Sequence, residues 1–144
     1  MIRLLSILAL LLISCSPKET KLLDFGDFTI EVPNHWQQVK LRGIDSYVGR
    51  IKINDHESAE FDLGAYSNNL DGDDQTYEYL TIDNKKAKIV RPKISGKGMT
   101  GVYIESLGDS YGDRDRFQLN GQNLTSANEQ LLIKALKTLK FNRK

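Results

Sequence analysis

The sequence predicts an α+β domain: a mostly antiparallel β-sheet of about six to seven strands, with a C-terminal amphipathic helix packed on one face. Three observations lead there. Short segments with apolar residues at every second position recur between turn-forming clusters. The tail abandons that period of two for the helical one. Only one cysteine, Cys15, is present, so no disulfide can staple the fold and it must rest on an apolar core.

The first strand is Phe28-Thr29-Ile30-Glu31-Val32, apolar at alternate positions and ended by Pro33-Asn34, with Trp36 beyond. Tyr47, Gly49, Ile51 and Ile53 form one face of a second, with Arg50 and Lys52 opposite. Asp55-His56-Glu57 reads as a turn. Ala59, Phe61, Leu63 and Ala65 form the next apolar face, with Glu60 and Asp62 outward. After a polar loop from Asn68 to Gln75 comes a hairpin centred on Asn84-Lys85. That register sets Ile82 against Ala87, Leu80 against Ile89, Glu78 against Arg91 and Asp83 against Lys86, apolar facing apolar and acid facing base. Pro92 ends it. Val102 to Leu107 and Arg116 to Leu119 are further strands, split by the turn-rich Gly108 to Asp115. In the tail, Ala127, Leu131, Leu132, Ala135, Leu136 and Leu139 fall on one side of a helix. Ser126 with Glu129 three residues later predicts a capping box, and Lys134, Lys137 and Lys140 suit the negative end of the helix dipole.

Ahead of this domain, Met1-Ile2-Arg3 and the uncharged apolar run from Leu4 to Ser14 have the form of a secretory signal, too short to span a membrane. Its exit, Leu12-Ile13-Ser14-Cys15, resembles the lipobox of bacterial lipoproteins. The resemblance implies cleavage before Cys15, a diacylglycerol on its thiol and a multi-chain membrane anchor. Ser16 stands where Asp commonly retains Gram-negative lipoproteins at the inner membrane, which favours the outer one. The expected organisation is a signal over 1–14, the lipidated Cys15 and a polar tether over 15–22, and one domain over 23–144. Cleavage removes Arg3 from the chain's 20 basic residues and none of its 19 acids, leaving 19 of each. A balanced domain argues against nucleic acid as partner.

A second resemblance rests on two short pieces. Phe28-Thr29-Ile30-Glu31-Val32-Pro33-Asn34-His35-Trp36 is similar to the early strand-Pro-x-x-Trp element of PsbP-like domains, and the helix followed by Leu139-Lys140-Phe141 is similar to their ending. The resemblance implies an α-β-α sandwich serving as an assembly or accessory factor, and transfers no catalytic residue.

No catalytic set is legible. His35 and His56 fall in separate turns, and a base needs partners within hydrogen-bond reach. Ser46 lacks the Gly-x-Ser-x-Gly elbow. Gly96-Lys97-Gly98 lacks both the upstream Gly and the following Ser or Thr of a phosphate loop, and no cofactor is expected. The loops around Asp71, Asp73 and Asp74 and from Asp109 to Asp115 are rich in carboxylates of the kind calcium takes, without the spacing of a calcium loop. Charge is segregated: nine acids and no base from Asp55 to Asp83, then six bases and no acid from Lys85 to Lys97. Those six, Lys85, Lys86, Lys88, Arg91, Lys93 and Lys97, either neutralise the acids within the molecule or form a basic face for anionic headgroups or an acidic envelope partner. The reading is a non-enzymatic, membrane-anchored binding or assembly module. A small-ligand or calcium carrier and a small hydrolase using His35, His56 and the Asp71 loop are the alternatives.

Overall fold

The computed structural model describes residues 19–142. The expected signal over 1–14 and Cys15 lie outside them. The elements in order are β1 (Thr20–Asp24), β2 (Phe28–Pro33), β3 (Gln37–Lys40), β4 (Tyr47–Lys52), β5 (Ser58–Leu63), β6 (Gln75–Ile82), β7 (Lys85–Pro92), β8 (Met99–Ile104), β9 (Phe117–Gln122), α1 (Ser126–Leu136) and β10 (Lys140–Phe141), with a 3-10 turn over Asp109–Arg114. The α+β class holds. Seven strands form one sheet in the order β3-β4-β5-β9-β8-β7-β6, and three form a second in the order β1-β2-β10. Every pairing is antiparallel.

Alternation dictates which face each strand buries. Phe61 pairs with Leu119, Leu119 with Val102, and Val102 with Ile89, so one buried row crosses four strands of the large sheet. The small sheet and α1 cover this inner face. From β2, Phe28, Ile30 and Val32 enter the same core, while Leu132, Ile133, Ala135 and Leu136 enter it from α1. An aromatic cluster joins the two sheets. The Phe28 ring stacks on Phe25 at 4.9 Å and meets Phe61 and Phe117 edge-on at 4.8 and 4.9 Å.

The structure corrects several expectations. Strand β1 starts at Thr20, before Leu23, and pairs with β2, which takes the end of the expected 15–22 tether into the fold. The hairpin turn is Asp83-Asn84, not Asn84-Lys85. Both residues have positive φ (48° and 61°), as a two-residue hairpin loop requires, and Asp and Asn tolerate that backbone where Lys does not. Ile82 therefore pairs with Lys85 and Leu80 with Ala87. The register moves by two residues, so every side chain keeps its expected face. β8 runs from Met99 to Ile104, leaving Leu107 buried in the loop after it, where its N–H donates to Asp115 O.

The helix is shorter and rotated from the expected face. Ile133 is buried, whereas Ala127 is exposed. It ends at Leu136 because Thr138 draws the chain away: its hydroxyl donates to Ala135 O at 2.6 Å and accepts the Glu31 N–H at 2.8 Å. Leu139 is thus buried beyond the helix, and Lys140–Phe141 adds a strand to β2. The N-cap is Thr125, whose hydroxyl accepts from Asn128 N at 3.4 Å. Glu129, expected to close a capping box, instead accepts from Gly96 N at 2.6 Å and Ser95 Oγ at 3.0 Å.

Glu57 supplies the anion that the helix start attracts. From the β4–β5 turn it accepts the Thr125 N–H at 2.5 Å and Asn128 Nδ2 at 2.7 Å. Burial pushes the Glu57 carboxyl up. The hydrogen bonds from Thr125, Asn54 and Asn128 outweigh that and hold it below the usual carboxylate range. A folded-state pKa below the unfolded one adds stability above the ordinary carboxylate pKa, and this is lost as pH falls through the depressed value. Denaturation of the Glu57→Gln variant is therefore expected to show a shallower loss of stability on acidification than wild type. Parallel curves for the two proteins would contradict the placement of this carboxylate.

Candidate functional site

The outer face of the large sheet carries Tyr77, Tyr79 and Thr81 from β6, Lys86, Lys88 and Val90 from β7, and Tyr103 from β8. The chain between β5 and β6 folds back over this face. Tyr77 and Lys88 pin it there. The Tyr77 hydroxyl accepts the Gly72 N–H at 2.8 Å and donates to Gly72 O at 3.0 Å. Lys88 Nζ donates to Asp71 Oδ1 at 2.5 Å and lies 5.2 and 5.4 Å from the ring centres of Tyr77 and Tyr103. Lys93 secures the far end, from Nζ to Asp73 O at 2.7 Å and from its N–H to Asp74 O at 2.9 Å. Leu70 and Val90 are buried yet stand apart from the main core, as expected of apolar residues under this loop.

Loop and sheet enclose an open cleft of about 850 Å³. Tyr79 and Tyr103 line it, with Lys86, Lys88 and Arg116 as cations and Asp71 and Glu105 as acids. The cations differ in what they can offer a ligand. Lys88 is nine-tenths buried and spent on Asp71. Lys86 is exposed and makes no ion pair among the described residues. Arg116 donates to a neutral acceptor, Ala65 O, at 3.2 Å, and makes no ion pair among the described residues. Burial pushes the Tyr103 hydroxyl up despite the opposing pull of Arg116, so it stays a neutral hydrogen-bond donor. The chemistry available is recognition of an anion by Lys86 and Arg116 beside tyrosine surface.

The expected site residues do not converge here. His35 and His56 are both exposed, and neither lines the cleft. His56 borders a depression of about 200 Å³ at the β4–β5 turn, beside Lys52 and Glu57. Among Asp71, Asp73 and Asp74, only Asp71 reaches the cleft, already paired with Lys88. Among the described residues, no group of three or more His, Cys, Asp or Glu side chains is gathered around a common point. Ser46 Oγ donates to Asp62 at 3.2 Å. In the Gly96 to Gly98 loop, the Gly96 amide donates to Glu129, that of Lys97 to Ile94 O and that of Gly98 to Asn123 Oδ1.

Nor do the six cations from Lys85 to Lys97 share a face. Alternation sends Lys86 and Lys88 to the outer side and Lys85 and Arg91 to the inner one, where Lys85 lies 5.7 Å from the Phe141 ring centre and Arg91 bonds Glu78 at 2.9 Å. Much of the charge segregation is thereby resolved within the molecule. Arg116, Tyr79 and Tyr103 had no sequence motif. Their only signal was an aromatic or basic residue at the outward position of a strand. Comparison of the chain with protein-family models, with curated proteins and with solved structures gives no match.

Proposed function

We propose that this protein is a non-enzymatic binding module of the bacterial cell envelope, anchored by lipid on Cys15, that takes an acidic segment of a partner protein into the cleft of its open sheet face. The carrying observation is the pairing of two uncompensated cations, Lys86 and Arg116, with tyrosine surface from Tyr79 and Tyr103 in one cleft. The lipobox-like Leu12-Ile13-Ser14-Cys15 supports the anchor, with the outer membrane as the favoured destination. The likeness of the Phe28 to Trp36 segment to PsbP-like domains supports an accessory or assembly role over catalysis.

Two measurements test the reading. Cys15→Ser is expected to move the protein from the membrane fraction to the soluble one and to abolish acyl labelling. A fluorescent Glu-rich peptide is expected to bind the wild-type protein with affinity that falls as salt rises, while a Lys-rich peptide does not. The double reversal Lys86→Glu with Arg116→Glu should weaken that binding by about fivefold or more, since two exposed ion pairs together contribute roughly 1–2 kcal/mol. Equal binding by wild type and the double variant would remove the cleft from the proposal. Binding to anionic vesicles but not to the peptide would replace the protein partner by a lipid surface.

A further inference from the structure

β6 is an edge of the seven-strand sheet, and its eight residues, Gln-Thr-Tyr-Glu-Tyr-Leu-Thr-Ile, carry only one of the usual edge defences, the inward-facing charge of Glu78. There is no Pro, Gly or Lys in it. Glu78 is its one charge, and that charge is engaged by Arg91 at 2.9 Å and Lys137 at 3.7 Å. The opposite edge, β3, is half as long, with four residues, and ends on Lys40. Residues of high strand propensity fill β6, and Tyr79 is 76% exposed.

The hairpin fixes which backbone groups face outward. A two-residue loop is closed by a hydrogen-bonded pair, here Ile82 with Lys85, and bonded pairs then alternate along the ladder. The Lys93 N–H to Asp74 O bond at the far end has the same phase. Thr76, Glu78, Leu80 and Ile82 thus spend their N–H and C=O groups on β7. Those of Gln75, Tyr77, Tyr79 and Thr81 point to the free edge.

We infer that a second copy of this chain pairs with that edge, β6 against β6 antiparallel, about a two-fold axis at Tyr79. This register makes every contact self-complementary. Tyr79 faces Tyr79 of the second copy, Tyr77 faces Thr81 on the outer side, and Glu78 faces Leu80 on the inner side. Aromatic meets aromatic or β-branched residue, and no like charges are directly opposed. Tyr79, Tyr77 and Thr81 also hold the outward-facing backbone groups, so side-chain and main-chain pairing agree in phase. Because Tyr79 lines the cleft, the two clefts of the dimer meet at the axis as one trough. A pair of strands this short buries less than the roughly 800 Å² per partner of a standard interface, which places it among weak, transient contacts.

The inference is tested on the full mature protein, independently of any ligand. Sedimentation is expected to show a reversible monomer–dimer equilibrium. Tyr79→Lys and Tyr79→Glu should each be monomeric with unchanged melting temperatures, since the side chain is exposed. Mixed in equal amounts, they should form a heterodimer, because the two residues oppose each other across the axis. Tyr79→Cys should oxidise to a disulfide-linked dimer, since a bonded antiparallel pair has its Cα atoms about 5.5 Å apart. Tyr77→Cys, which faces Thr81, should not. A wild-type chain that stays monomeric at high micromolar concentration, a dimer indifferent to the Tyr79 charge variants, or equal crosslinking through positions 77 and 79 would overturn the pairing.

Discussion

Replacing Phe28 by Ala is expected to lower stability by about 3–5 kcal/mol, a large part of the roughly 5–15 kcal/mol that holds a domain of this size together. Phe28 belongs to the small sheet, yet two of the four rings around it, Phe61 and Phe117, belong to the large one. Its ring stacks on Phe25 in the β1–β2 turn, meets Phe61 of β5 and Phe117 of β9 edge-on, and reaches Phe141 of β10 at 6.2 Å. It has no exposed surface. The cavity left by Ala is walled by other rings on separate strands, which cannot close on it without moving two sheets. Urea denaturation followed by circular dichroism measures the loss. Ile44→Ala provides the contrast, because Ile44 is 99% exposed and its removal should change stability by no more than about 0.5 kcal/mol. A Phe28→Ala loss below about 1.5 kcal/mol would mean that the ring does not bridge the sheets as described.

The legible part of the fold is the part with a strong local period. β2, β4 and β5 alternate cleanly because one face meets the core and the other meets water, and they lie where the period puts them. β1, β3 and β10 were not legible. They are short, and each is a strand only because a neighbour offers a ladder: β1 and β10 flank β2, and β3 lies on β4. The buried helix face departs from the sequence period for a related reason. Ala127 fits the helical period but lies outside the contact, while Ile133 is drawn in by the sheet beneath. Glu129 shows the same limit at a cap. Its spacing from Ser126 is right, but the Gly96 N–H, 33 residues away in sequence, competes for the carboxylate and holds it.

The candidate site was less legible than the fold. Its residues come from β6, β7, β8, the residues just after β8 and just before β9, and the loop after β5, so no spacing in the sequence brings them together. The acid and base runs were visible, and the hairpin explains part of them: Glu78 meets Arg91, though diagonally rather than directly opposite. What the sequence could not reveal is the sorting of the basic run. Which lysines are consumed, as Lys88 is by Asp71, depends on a loop folding across the sheet. The two cleft cations without an ion pair among the described residues, Lys86 and Arg116, are 30 positions apart in the chain.

Leu132→Asp is expected to remove the compact state at neutral pH. Leu132 has no exposed surface and sits where α1 meets β2 and β8, in the same core as Ile30 and Val102. Losing the leucine alone forfeits about 2–5 kcal/mol. A buried carboxylate there has no partner supplied for it, and taking it out of water adds several kcal/mol more. Together these match or exceed the stability of an ordinary domain. The sign of the pH dependence separates the two contributions. A carboxyl in this core has its folded-state pKa raised above the unfolded value, so its penalty is smallest below the ordinary Asp pKa and grows as pH rises. The deficit of Leu132→Asp relative to wild type should therefore shrink on acidification, while that of Leu132→Ala should not. Lys134→Asp, two residues on and exposed, exchanges a favourable charge near the helix end for an unfavourable one and is expected to lose about 0.6–2 kcal/mol. Near-wild-type melting of Leu132→Asp at pH 7 would mean that α1 does not close the core, and with it the burial of Leu136 and Leu139 would fall.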